Sequence, residues 1–188
     1  RDPTIVYTKI LKQLFPDVPV ILGGIEASLR RVTHYDYWQD LLRPCILCDS
    51  GADMITYGMG EKPILELARR LSEGEPLSTI RDIPQTVYLA RKEDIPGGIT
   101  TDDIMLHSHE ECLRNKRAQA ENFRHVEEQS NMMHAKRLIQ EVGNSCVVVN
   151  PPYPPMTTAE LDASFDLLYT RMPHPKYKGK RIPAYDMI

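Results

Sequence analysis

Two stretches of the sequence share one pattern: VPVILGGIEASLRR at residues 18–31 and GADMITYGMGEKPILELARRL at residues 51–71. In the first stretch, an uninterrupted apolar run at residues 18–22 meets Gly23-Gly24. Residues that favour a helix then continue as far as Arg31. This stretch therefore predicts a strand, a tight glycine turn and a helix.

The second stretch repeats the same three parts. Residues 52–57 form an apolar run, Gly58-Met59-Gly60 follows, and residues 61–71 carry apolar side chains at helical spacing. Strands that are apolar throughout, each leading through a glycine turn into a helix, are typical of a parallel sheet covered on both faces. The sequence therefore predicts an α/β fold.

The two glycine turns are the candidate ligand site. Ligands of parallel α/β sheets bind beyond the carboxyl ends of the strands, where both turns would lie in one crevice. Glycine also lets a phosphate or a planar ligand approach the backbone at a helix N-terminus. The alternative is that these glycines serve turn geometry alone. The candidate crevice residues are Gly23, Gly24, Glu26, Gly58, Gly60 and Glu61.

Composition excludes several classes of protein. The chain has 188 residues, with 23 Lys and Arg against 26 Asp and Glu, so its formal net charge is −3. This balance argues against nucleic acid as the main partner. The apolar runs fall far short of the roughly 18 residues that a membrane-spanning helix needs. Four cysteines are too few for a disulfide framework and suit a reducing cytoplasm.

The remaining sequence predicts three regions. Residues 1–75 hold a first helix, with Val6, Ile10 and Leu14 along one stripe, and the two repeated units. Because these units do not complete a doubly wound sheet, we expect further strands from upstream of Arg1. Residues 76–150 hold a strand, a long polar helix beginning near His109, and a β-hairpin. Residues 151–188 begin with a stiff proline-rich connector and continue into a helix.

Two pairs of side chains have the composition of metal sites. Cys45 and Cys48 have metal or redox spacing, but no second pair follows, and on a strand side chains three apart do not converge. We therefore expect buried, inert thiols. His107 and His109 have no carboxylate or third histidine at ligand spacing, so we interpret them as a solvated helix start.

One further group of side chains allows two interpretations. Arg30-Arg31 precedes the aromatic run from Tyr35 to Trp38, which holds the single tryptophan. These rings either form a stacking surface beside two cations or anchor a core or a domain interface. The pattern leaves both interpretations open.

Four segments of the chain are distinctive: VPVILGGIEASLRRVTHYDYW, GADMITYGMGEKPILELARRL, NPPYPPMTTAELDASFDLLYTRMPHPKY and RIPAYDMI. In this order they resemble one family, the YgiQ-type radical SAM proteins. The two glycine turns are also similar to those of the cobalamin-binding-like Rossmann domains that precede many radical SAM barrels. The resemblance implies an incomplete Rossmann-like sheet in an N-terminal region.

The resemblance also implies a function for the intact protein. In the family, a CxxxCxxC run just after the segment that matches RIPAYDMI carries a 4Fe-4S cluster, and the cluster binds S-adenosylmethionine. Here Leu41 stands where a third cysteine would have to precede Cys45, so that role does not transfer to Cys45 and Cys48. The resemblance therefore implies an accessory piece, inactive alone and without catalytic or metal-binding residues, whose partner is its own C-terminal barrel.

Other functions stay open at this point. A DxHxxG cobalamin motif is absent from the sequence, so cobalamin would have to bind through the glycine turns alone. The main alternative is a non-enzymatic Rossmann-like module that binds a ligand or a protein partner, since a long polar helix often packs against another surface. A thiol oxidoreductase that uses Cys45 and Cys48 is a third hypothesis.

Overall fold

The computed structural model describes residues 2–187; Arg1 and Ile188 lie outside the described residues. The chain divides into one unit that ends at Pro154 and another that begins at Pro155. The boundaries predicted at residues 75 and 150 stay predictions. The strands are β1 Ile21–Leu22, β2 His34–Asp36, β3 Leu41–Arg43, β4 Met54–Thr56, β5 Thr86–Ala90, β6 Ile104–Leu106, β7 Leu138–Val142 and β8 Ser145–Val149.

Helices flank these strands in the first unit, and short helices lie in the second. The first unit contains α1 Pro3–Leu14, α2 Gly24–Leu29, α3 Ile46–Ser50, α4 Glu61–Ser72, α5 His109–Arg114 and α6 Lys116–Ser130. The second contains α7 Thr158–Phe165 and α8 Pro183–Asp186. Thr157 and Glu160 form a capping box that starts α7. Within residues 2–187, no helix combines the length and the apolar character needed to cross a bilayer.

Six strands form one sheet in the order β1-β4-β5-β8-β7-β6, and β2 pairs with β3 separately. The α/β class is confirmed, and the strands of the two repeated units, β1 and β4, are parallel neighbours. β6 and β7 are also parallel, whereas the three central pairings are antiparallel. The predicted hairpin explains part of this mixture, because Val142 pairs with Ser145 across a two-residue turn.

Both faces of the sheet bury apolar side chains. Ile55 and Val87 face one side, where they pack with Ala27 of α2 and residues of α3 and α6. Met54 faces the other side and packs with Leu67 of α4. Successive side chains of a strand point to opposite faces, so an uninterrupted apolar run is stable only when both faces are covered.

The first helix forms where the sequence predicts it, but its apolar stripe faces outward. Val6, Ile10 and Leu14 are 46%, 44% and 65% exposed, whereas Thr8 is buried. α1 contacts α3. Periodicity therefore predicts the helix correctly, but it does not predict which side of the helix meets the domain.

The predicted long polar helix is interrupted near its start. α5 ends at Arg114, and Asn115 has extended backbone angles, φ −135° and ψ 100°. The Asn115 side chain accepts a hydrogen bond from the backbone N–H of Arg117 and so caps α6. Asparagine is one of the preferred N-cap residues, which explains a new helix at this position.

Arg137 holds the loop before β6 in place. Its guanidinium donates two hydrogen bonds to the Asp103 carboxylate, at 2.8 and 2.9 Å, and further bonds to the carbonyls of Pro96 and Gly98. The side chains of Arg137 and Asp103 are only 19% and 5% exposed. Such a forked, nearly buried pair leaves a costly unpaired charge when one partner is removed.

We expect Arg137→Met to destabilise the protein by about 3 kcal/mol, because the Asp103 carboxylate would stay buried without its cation. Urea denaturation measures this difference. Arg124→Met is the matched control, since Arg124 is exposed and lies 3.6 Å from Glu128. Equal stability of the two variants would show that the Arg137–Asp103 pair does not stabilise the fold.

Candidate functional site

The two glycine turns lie at the same edge of the sheet. β1 and β4 are parallel neighbours in the register Ile21 to Met54 and Leu22 to Ile55, so their carboxyl ends coincide. The backbone N–H of Gly58 donates a 3.0 Å hydrogen bond to Ser28 Oγ of α2, which joins the second turn to the first helix. Whether this edge binds a ligand stays a prediction.

Local geometry accounts for the glycines of the first turn. Gly23 is the N-cap of α2, and a Cβ atom at this position would lie 3.2 Å from Thr56 Oγ1 on the neighbouring strand. Gly24 has a φ of +81°, where a side chain is strained. Both features are those of the turn-only alternative, and neither excludes a ligand.

The second turn is held by a residue that the sequence did not single out. Gln85 is buried, and its Nε2 donates to the carbonyls of Tyr57 and Met59, at 2.8 and 2.7 Å. A Cβ on Gly58, whose φ is +65°, would lie 3.3 Å from the same Nε2 atom. Gly60 is the N-cap of α4. The close approach of Gln85 thus gives a structural reason for glycine at position 58.

Gln85 also connects this turn to the proline-rich segment. Its Oε1 accepts from the backbone N–H of Tyr153, and its own backbone N–H donates to the Pro151 carbonyl. The Gln85 backbone has a φ of +59°, which is uncommon for a residue other than glycine. No short-range pattern predicts Gln85, because its partners lie 26 to 68 positions away.

Asn150, directly after β8, holds neighbouring segments through its side chain, as Gln85 does. Its Nδ2 donates to the carbonyls of Arg81 and Ile83 and to Thr86 Oγ1, all within 3.0 Å. Its carbonyl accepts a 2.6 Å hydrogen bond from the Tyr57 hydroxyl. The pKa of Tyr57 is raised to about 12 because its ring is buried. Tyr57 is therefore a neutral donor at physiological pH.

The two candidate carboxylates differ in their surroundings. Glu26 accepts a hydrogen bond from Thr4 of α1 and lies 3.4 Å from the Arg30 guanidinium. Glu61, in the first turn of α4, is exposed. Glu26 is therefore committed to contacts between α1 and α2 and is partly buried, whereas Glu61 is exposed.

Arg30 and Arg31 make different kinds of contact. Arg30 lies within 4 Å of the carboxylates of Asp2, Glu26 and Asp36. Arg31 stacks on the Tyr57 ring, 4.9 Å from its centre, and donates to the Ser28 carbonyl and to Ser130 Oγ of α6. Burial lowers the pKa of Arg31. Arg30 thus joins chain segments through charge, and Arg31 packs behind the candidate edge.

The aromatic run lies outside the core. Tyr35, Tyr37 and Trp38 belong to the β2–β3 hairpin and are 57%, 72% and 84% exposed. The Tyr37 and Trp38 rings meet edge to face, with their centres 5.0 Å apart. The interpretation of these rings as core anchors is therefore wrong, whereas a stacking surface and a domain interface remain open.

The predicted location of the cysteine pair on a strand is wrong. Cys45 is the N-cap of α3 and Cys48 lies within that helix. Cys45 is fully buried, as expected, but Cys48 is exposed. Burial raises the pKa of Cys45, and partial desolvation together with the nearby Asp49 carboxylate raises the pKa of Cys48 to about 11. Within residues 2–187, no group of three or more His, Cys, Asp or Glu side chains could hold a metal ion.

The sequence did not predict the two carboxylate partners of His107. Its Nδ1 lies 3.0 Å from Glu111 and its Nε2 lies 2.9 Å from Glu121. Only a protonated imidazole can donate to both carboxylates at once, and these hydrogen bonds raise the pKa of His107. His109 instead contacts Thr33 Oγ1. Glu121 was missed because it lies on the next helix.

We expect Gln85→Met to destabilise the protein by about 1 to 2 kcal/mol, because two carbonyls would lose their donor. Hydrogen exchange should accelerate at residues 57–60, which the Gln85 side chain holds. Mass spectrometry of the deuterated peptides measures this. Gln39→Met, at an exposed position of the hairpin, is the control. Unchanged exchange at residues 57–60 would contradict the proposed role of Gln85.

His107 should make stability depend on pH. Because its pKa is higher in the folded chain than the ordinary 6.5, its contribution is complete below pH 6.5 and is lost as the pH rises through the folded value. We therefore expect His107→Gln to be more destabilising at pH 6 than at pH 9, with stability measured by urea denaturation at each pH. The control is His134→Gln, at an exposed position. A penalty that is the same at both pH values would exclude this role.

Known proteins match the chain along its whole length. The model of the radical SAM N-terminal family matches residues 1–188. UPF0313 proteins of Bacteroides thetaiotaomicron and Porphyromonas gingivalis are 61% and 62% identical, each over 99% of this chain. The UPF0313 protein YgiQ of Escherichia coli is 37% identical over 98% of it. No solved structure matches the chain.

The relatives are much longer than this chain. The three matches cover 32%, 29% and 32% of the relatives, so the chain spans about a third of their length. The resemblance drawn from the sequence is confirmed, because both the family model and the relatives extend over nearly every residue. The chain belongs to the radical SAM N-terminal family, in the form in which that family occurs in UPF0313 proteins.

Proposed function

We propose that this chain is the N-terminal accessory region of a radical SAM iron–sulfur enzyme. In the intact protein, residues outside this chain would hold a 4Fe-4S cluster and S-adenosylmethionine, which the enzyme would cleave reductively. The observation that carries the proposal is the family match over residues 1–188 of a chain whose own cysteines do not suit a cluster.

The arrangement of the thiols is the reason for assigning an accessory role. A radical SAM cluster needs three cysteine ligands, and here Leu41 occupies the position at which a third would precede Cys45. Cys45 is fully buried, and the raised pKa values of both thiols oppose the thiolate form that binds iron. Cys45 and Cys48 therefore do not fit the cluster.

We further propose that the candidate edge faces the protein's own C-terminal barrel. Beside the glycine turns, Ile25 and Leu29 of α2 and Met59 are 80%, 69% and 59% exposed. Exposed apolar side chains grouped around one edge of a sheet are typical of a surface that another domain covers. In this proposal, Gly23, Gly24, Gly58 and Gly60 line a crevice between the two domains.

The non-enzymatic module remains the alternative function. Its sequence argument was the thin apolar stripe of the long polar helix, and α6 has another explanation. Asn122 is buried, and its side chain bonds both the N–H and the carbonyl of His107, so α6 packs within this unit through polar contacts. The burial of Cys45 argues against the thiol oxidoreductase.

We also propose a cytoplasmic location. The four cysteines of the described residues are free. Unpaired cysteines are typical of proteins from reducing compartments.

Anaerobic reconstitution with iron and sulfide tests the proposed function. We expect the 188-residue chain to stay colourless, and the full-length family protein to gain a brown chromophore and to release 5′-deoxyadenosine from S-adenosylmethionine under reducing conditions. A full-length protein without a cluster, or a stoichiometric cluster on the short chain, would overturn the proposal.

Variants of the full-length protein assign the ligands. Cys45→Ser and Cys48→Ser should leave the iron content unchanged, whereas serine in the downstream CxxxCxxC run should abolish it. Loss of iron in the Cys48→Ser variant would place the cluster in this region. Titration of cobalamin and of adenosyl compounds into the short chain tests the alternative, which tight binding would favour.

A further inference from the structure

α1 turns its apolar side away from the domain. Its apolar stripe is 43% to 67% exposed and consists of Val6, Tyr7, Ile10, Leu11 and Leu14. The side chain that α1 buries fully is the polar Thr8. A surface helix ordinarily does the opposite, because burial of apolar area stabilises it. An exposed apolar stripe of this kind is typical of a helix whose outer side is covered by another segment.

The strand that follows α1 lies at the edge of the sheet. β1 is an edge strand of the six-stranded sheet and, within residues 2–187, pairs only with β4. Residues 15–20 connect α1 directly to β1, and Lys12 fastens the end of the helix through the Asp53 carboxylate and the Val18 carbonyl. A helix that leads into a parallel strand is the usual crossover from a preceding parallel strand.

The placement of α1 agrees with such a crossover. Ile5 of α1 packs against the same core cluster as Ala27 of α2 and Ile46 of α3, so these helices cover one face of the sheet. Parallel connections are almost always right-handed. Two successive right-handed crossovers that step across a sheet in one direction place their helices on one face. The preceding strand would then lie beside β1, on the side away from β4.

We propose that the segment immediately N-terminal to α1 in the full-length protein forms a strand parallel to β1. The strand extends the sheet to at least seven strands and lies beneath the α1 stripe. About two thirds of each relative's length is outside this chain. A second copy of the chain is a less suitable occupant, because a parallel crossover needs covalent continuity with α1. The proposal does not depend on the radical SAM function.

Photocrosslinking in the full-length protein identifies the occupant. Tyr7 and Phe15, both exposed aromatic residues, are replaced separately by p-benzoylphenylalanine, and crosslinked peptides are mapped by mass spectrometry. We expect crosslinks to residues N-terminal to α1. The same probe at Lys9, an exposed polar position of α1, should give none.

Every other result overturns the proposal. Crosslinks to residues after 188 would assign the stripe to the barrel, crosslinks of dimer mass would assign it to a second copy, and no crosslink would leave it in solvent. If the probe prevents folding, Ile10→Cys replaces it. Position 10 should then resist alkylation in the native full-length protein, and Gln13→Cys should react. Equal rates at positions 10 and 13 would refute the buried stripe.

Discussion

Two buried amide side chains hold together the edge at which the candidate site lies. β4 and β8 end there and β5 begins there, so several backbone groups leave the sheet ladder at one place. Gln85 and Asn150 replace the lost partners with six side-chain hydrogen bonds. Unpaired polar groups in a protein interior are costly, and this requirement fixes the second glycine turn relative to the sheet.

The candidate edge combines glycine turns that are held in place with exposed apolar side chains beside them. These side chains, Ile25, Leu29 and Met59, are called the apolar rim. Cβ atoms on Gly23 and Gly58 would lie 3.2 Å from Thr56 Oγ1 and 3.3 Å from Gln85 Nε2, so close packing favours glycine at both positions even without a ligand. Turn geometry does not explain the exposed side chains of Ile25, Leu29 and Met59, which gain nothing by facing water. The glycines are therefore weak support for a cofactor site, and the apolar rim is the stronger indication of a docking surface.

Sequence reasoning succeeded where the determining contacts are local. Apolar runs, glycines and capping residues act within a few positions, so the two repeated units, the hairpin and the cap of α7 could be predicted. It failed where the contacting residues are far apart in the sequence. Glu121 reaches His107 from the next helix, Gln85 reaches Tyr57 across 28 positions, and three antiparallel pairings lie between the two parallel ones. Periodicity also does not show which side of α1 faces the domain.

The hairpin places the single tryptophan of the chain in an unusual setting. Trp38 is 84% exposed in the native structure, and its ring meets that of Tyr37 edge to face. Intrinsic fluorescence excited at the indole will therefore change little when the core melts, and it is a poor probe of global unfolding. The fluorescence of the same indole responds to any molecule or domain that binds to the hairpin, so such binding can be measured without an added label.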